Sequence, residues 1–238
     1  SPPSTRSSPE PGEPRRSVFI DAALLPSWLI AAAAALMVAV LALALRLAPW
    51  RALLGAPDRQ HVLHGGIVGL LQLWLGSIEV TEGVHVHLLA VTCATMVLGL
   101  PLALLAGAVA LTAQLALLEQ SLLALPVAWL PTVLLPATTT RLLVHWLRRH
   151  APRNLFLYLL GAGFGGGMAC MLASAACALA LFAMLGRFEL IADALDSATL
   201  VVLMMFPEGF LNGMLVTAVT VFRPDLVKTF DDRYYLDG

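Results

Sequence analysis

Charge is what this sequence has least of. Asp, Glu, Lys and Arg make up 12% of its 238 residues, about half the share of a soluble domain. The formal net charge is −1, and no basic patch interleaved with aromatics occurs, which excludes a nucleic-acid partner. A phosphate-binding loop ending in Lys-Ser or Lys-Thr is missing, and the glycines from Gly161 to Gly167 lack the lysine it needs. There is no Gly-x-Ser-x-Gly elbow, and Ser174 sits between Ala173 and Ala175 with no base nearby. The chain is therefore expected not to be an enzyme; scattered Glu and His are all that support a metal-dependent one. Cysteine is sparse as well. Cys170 and Cys177 lie about 10 Å apart along a helix, too far for a disulfide, and with Cys93 they read as small apolar residues.

What is present in excess is apolar sequence, at 59% of residues with a mean hydropathy of +0.85. Apolar runs long enough to cross a bilayer recur from Leu24 onward, without the short alternation of a membrane barrel. The expected fold is an all-α polytopic membrane protein of about seven transmembrane helices, multi-pass in the cell inner (plasma) membrane and surrounded by membrane lipid. Residues 1–17, rich in Pro, Ser and Arg, read as a disordered extension, residues 18–225 as the membrane domain and residues 226–238 as a cytoplasmic tail. The predicted spans are about 24–45, 62–78, two antiparallel pieces of 87–118 divided at Gly99-Leu100-Pro101, 127–147, 155–185 and 197–222. Pro207 and Gly209 predict a local break in the last span. Basic residues gather in the loop Arg46–Arg59 and in Arg141–Arg153. Glu79, Glu82, Glu119, Glu189, Asp193 and Asp196 fall on the alternate loops. This bias predicts an outside N-terminus and a cytoplasmic C-terminus.

Candidate metal ligands concentrate in one stretch, Glu79-Val-Thr-Glu82-Gly-Val-His85-Val-His87. His61 and His64 begin the second span. About 17 residues of helix, roughly 25 Å, separate them from His85 and His87, so the two pairs do not share an ion. In extended backbone His85 and His87 point the same way and grip one ion; in a helix they diverge. His87, leading the apolar run, is the expected buried ligand, with His85 and Glu82 as helpers. The alternative is a set of polar residues that merely cap two helices. Glu208 lies inside an apolar span, where a carboxylate costs on the order of 3 kcal/mol, so it is expected to face a partner or a pathway. Asn212 shares its helix face.

Four segments carry a resemblance to a known family. They are Gly83-Val-His85-Val-His87-Leu-Leu-Ala90, Val97-Leu-Gly99-Leu-Pro101-Leu-Ala-Leu-Leu-Ala106, Pro207-Glu208-Gly209-Phe210-Leu211-Asn212 and Ser17-Val-Phe-Ile20-Asp21-Ala-Ala-Leu-Leu25-Pro26. Over roughly residues 18–225 the chain resembles the substrate-binding membrane subunit of energy-coupling-factor ABC transporters for cobalt and nickel. The resemblance implies a seven-helix fold with metal held near the outer surface. It places the family histidine on His87 and the last-helix glutamate on Glu208, and it brings Asp21 into the metal set with His85 and Glu82. The departures are Ser17 and Val18 in place of a Met-His start, Val201 in place of a seventh-helix histidine, and Leu125–Leu130 without the family's asparagines.

The expected function is a substrate-binding or permease subunit for uptake of a divalent transition-metal ion. It would be energised by partner ATPase subunits through a coupling subunit in the membrane. The substrate is cobalt or nickel by resemblance, while imidazole and carboxylate by themselves suit zinc and copper equally. The alternative is a non-transporting structural or assembly partner that has lost the metal site.

Overall fold

The computed structural model describes residues 25–230 apart from 77, 82, 83 and 197. Helix α1 (Ser27–Leu47) starts after Pro26, whose extended backbone turns the chain into the bundle. A short helix α2 (Trp50–Leu54) leads to α3 (Pro57–Leu75), which opens on a proline where no helical N–H is needed. Strands β1 (Ile78–Thr81) and β2 (Val84–Val86) then pair antiparallel, with Glu79 directly opposite His85. Helices α4 (Val91–Leu98) and α5 (Leu100–Leu117) meet at Gly99, at φ +82°. Two long rods follow, α6 (Leu122–His150) and α7 (Leu155–Met184). A nine-residue helix α8 (Phe188–Asp196) precedes the last, α9 (Ala198–Phe222).

Five of these helices, α1, α5, α6, α7 and the Val201–Phe222 part of α9, are long and apolar enough to cross a membrane. Helix α3, with 19 residues, is long enough but carries Asp58, Arg59, His61, His64 and Gln72. Helix α4 is the main departure from expectation. The piece from residue 87 to Gly99 is not a full span: its helix has eight residues, about 12 Å, and His87–Ala90 enters the bundle as irregular chain. Six of the eight helical residues are buried, which is where a membrane protein tolerates such a break. The acidic loop after α3 is a hairpin, and α8 has no counterpart among the expected spans.

The last span is also continuous where a break was expected, with Pro207 inside an unbroken helix. The glycines beside it serve packing instead. A Cβ on Gly167 would stand 2.9 Å from the Glu208 carbonyl oxygen and 3.0 Å from Gly209 Cα. A Cβ on Gly209 would stand 2.8 Å from Phe164 O. Helices α7 and α9 therefore cross almost backbone to backbone, as small residues permit in membranes. In α6, Pro131 and Pro136 are absorbed by a stretch of π-helix over Leu130–Leu134. The Pro131 carbonyl accepts from Ser174 Oγ at 2.7 Å, and the Pro136 carbonyl from Thr140 Oγ1 at 3.0 Å and Cys170 Sγ at 3.1 Å. The π-rich start of α7, Tyr158–Gly165, presents Tyr158 to the chain beyond α9.

That chain, residues 223–230, folds back as a strap. The Lys228 and Thr229 N–H groups donate to the carbonyls of Val97 (3.0 Å) and Met96 (3.1 Å) at the end of α4. Thr229 Oγ1 also donates to Met96 O at 3.0 Å and lies 2.7 Å from the Tyr158 hydroxyl, and Arg148 donates to the Thr229 carbonyl.

The close crossing makes a signed prediction. Gly167→Ala forces α7 off α9 and should destabilise the protein by about 1–3 kcal/mol. Gly65→Ala in α3, with open space around its Cβ position, should stabilise by roughly 0.5–1 kcal/mol through helix propensity. Unfolding midpoints of the two variants in one detergent check this. A Gly167→Ala protein as stable as wild type would contradict the crossing.

Candidate metal site

Helix α4 begins in the middle of the bundle, so its first N–H groups have neither helical partners nor water. Glu208, fully buried on α9, supplies them. Its Oε2 accepts the Leu89 N–H at 2.7 Å, and its Oε1 accepts the Ala90 N–H at 2.8 Å and Asn212 Nδ2 at 2.7 Å. Asn212 Oδ1 in turn accepts the Cys93 N–H at 2.7 Å. A carboxylate at a helix N-terminus also meets the positive end of the helix dipole. Both oxygens are thus committed to holding backbone, and the grip fixes Ala90 at φ +52°, a left-handed turn that side chains disfavour by about 1–2 kcal/mol.

The same turn is held from α3. Trp74 Nε1 donates to the Leu89 carbonyl at 3.1 Å, and the Trp74 carbonyl accepts Gln114 Nε2 of α5 at 2.7 Å. His87 sits at the mouth of this arrangement, buried, with its ring 6.0 Å from that of Trp74 at an interplanar angle of 50°. Its Nδ1 lies 3.2 Å from the Leu88 carbonyl. A carbonyl only accepts, so Nδ1 carries the proton and Nε2 the lone pair a metal would need.

His85 stands at the central position of β2, two residues before His87. Asp21 and Glu82 lie outside the described residues. Among the described residues, no group of three His, Cys, Asp or Glu gathers around one point. The structure thus brings Glu208, Asn212 and His87 to one turn, with Glu208 working through the backbone. His61 and His64 stand apart: His64 Nδ1 donates to the Gln60 carbonyl at 2.8 Å, ten residues of helix before Trp74. Trp74 and Gln114 were not singled out by sequence reasoning. Their signal was a lone indole and a lone amide near the ends of two apolar helices.

The grip is testable without metal. Glu208→Ala strands three buried donors and should cost on the order of 3–5 kcal/mol, with faster hydrogen exchange at the Leu89, Ala90 and Cys93 amides. His87→Ala removes no partner of the grip and should leave those amides protected. Unchanged exchange in Glu208→Ala would contradict the arrangement.

The family model described as "Cobalt uptake substrate-specific transmembrane region" matches residues 19–226. No curated protein and no solved structure matches the chain. The family match spans every described helix, the turn at His87 and the α9 carboxylate that holds it. On that ground the chain belongs to the cobalt uptake substrate-specific transmembrane family, as a multi-pass inner-membrane component of metal uptake.

Proposed function

We propose that the chain is the substrate-binding membrane subunit of a divalent transition-metal uptake system, with His87 Nε2 as the inner ligand. The observation that carries this reading is one buried histidine two residues before a turn, Leu89-Ala90, whose backbone is held by Trp74 of α3 and Glu208 of α9, with Gln114 of α5 bracing Trp74. A ligand arm built this way meets its ion with little left to order, which favours binding. Glu208 acts as a positioning residue, orienting the arm as outer carboxylates orient metal-binding imidazoles. His85, Glu82 and Asp21 are the candidate co-ligands. Cobalt or nickel is the proposed ion.

The proposed topology counts seven helices in the bundle, α1, α3, α4, α5, α6, α7 and α9, with α4 as a half-length member. Ion pairing of Arg223 with Asp58 at 2.6 Å brings the end of α9 to the start of α3, and Arg148 of α6 reaches the strap at the same end. That basic end is proposed as cytoplasmic, with His87 and the hairpin toward the outside. Transport would draw its energy from partner ATPase subunits through a membrane coupling subunit, docking on Arg141–Arg153 and the strap. The rival reading, an assembly partner without a metal site, is favoured by Ser17, Val18 and Val201 standing where the resembled family has its ligands.

Metal content and competition binding on the purified protein separate the two. Ligation needs neutral imidazole, so the measurement belongs near pH 7.5. About one equivalent of cobalt or nickel, lost in His87→Ala, is the expected result. No bound ion from cobalt through zinc, with an unchanged His87→Ala protein, would overturn the ligand assignment and leave the assembly reading.

A further inference from the structure

A cavity of about 340 Å³ opens at the end of the bundle away from His87, where the strap crosses the start of α3 and the α4–α5 junction. Its volume is that of a small-ligand pocket. Leu53, Val62, Leu98 and Leu102 form an apolar wall, and Arg59 and Lys228 stand over it. Asp225 also lines the cavity, but its carboxylate is engaged. Arg223 Nε and Nη2 reach it at 3.2 and 3.3 Å and hold it below the usual carboxylate range. Arg223 takes Asp58 with the same guanidinium. Among the described residues three cations, Arg59, Lys228 and Arg223, thus stand against two carboxylates, Asp58 and Asp225, leaving one positive charge in excess.

The two lining cations are placed to use it. The Arg59 guanidinium donates to the neutral backbone carbonyl of Asp225 at 3.4 Å. The Lys228 stem packs on Gly99, the residue is exposed, and no ion pair engages it among the described residues. Beside the cavity, α2 carries Leu54, 72% exposed, and Trp50, half-exposed, as befits a segment at a membrane surface. An apolar wall under a rim with one spare positive charge complements an amphiphile whose head carries one negative charge.

We propose that this cavity binds an anionic phospholipid, its phosphodiester between Arg59 and Lys228 and its upper acyl chain against Leu53, Val62, Leu98 and Leu102. Basic pockets between membrane helices bind such heads in this way. The proposal depends on the chain's place in a bilayer and is independent of which ion, if any, His87 holds.

The test is native mass spectrometry of the full chain in detergent, titrated separately with phosphatidylglycerol and phosphatidylcholine. One phosphatidylglycerol should be retained in preference to phosphatidylcholine. Lys228→Gln and Arg59→Gln should each weaken it about fivefold, the worth of one cation near a membrane surface. Lys228→Gln leaves the strap's backbone bonds in place, so unchanged exchange at the strap amides would assign its effect to the lost charge. Equal retention of both lipids, or no effect of either variant, would overturn the proposal. Displacement by inorganic phosphate would make the occupant a soluble anion and overturn it too. So would binding that appears only after removal of residues 231–238, which carry Asp231, Asp232 and Asp237: the acidic chain end would then be the occupant.

Discussion

Everything near His87 depends on one carboxylate meeting the start of one short helix. A helix that begins inside a bilayer-spanning bundle exposes N–H groups that water cannot reach, each costing free energy if left bare. Glu208 is the converse problem, a charge-bearing group in apolar surroundings. Each answers the other. The three donors on its oxygens and the positive end of α4 make the carboxylate tolerable, and the carboxylate makes a half-length helix tolerable. In other membrane proteins such helix N-termini are turned toward anionic substrates; here the protein's own glutamate fills that position.

The rest of the bundle serves this meeting. Glu208 reaches the turn because α9 lies almost in backbone contact with α7, and that contact exists only where glycines face each other. Trp74 approaches from the opposite side with its own carbonyl capped by Gln114, so that both backbone groups of Leu89 are engaged. The π-helical stretches follow the same rule of internal satisfaction. Where prolines disturb α6, hydroxyls and a thiol from α6 and α7 take up the carbonyl oxygens.

Much of this was legible in the sequence, and the misses have physical reasons. The ends of α7 and α9 fall within a residue or so of their expected places, because long apolar runs bounded by charge leave little choice. Glu208 was marked for the interior by its insertion cost, and Asn212 by its spacing from it. Pro207 misled because proline disfavours helix in water, whereas a packed membrane helix carries it, and the adjoining glycine answers to a neighbouring helix. Residues 87–98 misled because uniform apolarity records burial, not conformation: a segment enclosed by protein reads the same whether helical or extended. The strap was invisible because its hold on α4 comes mainly from backbone N–H groups, which leave no mark on residue type.

Helix α4 is held at both ends by bonds of different origin. Glu208 and Asn212 hold its first turn, and the strap takes the carbonyls of Met96 and Val97 at its last. The helix between them is about 12 Å of stiff rod, less than half the thickness of a bilayer core. The histidine turn and the strap are therefore mechanically in series. Neither end of the rod can slide along its axis without stretching hydrogen bonds at the other. Across this protein the span that a push or pull must travel is two turns of helix, not the full depth of the membrane.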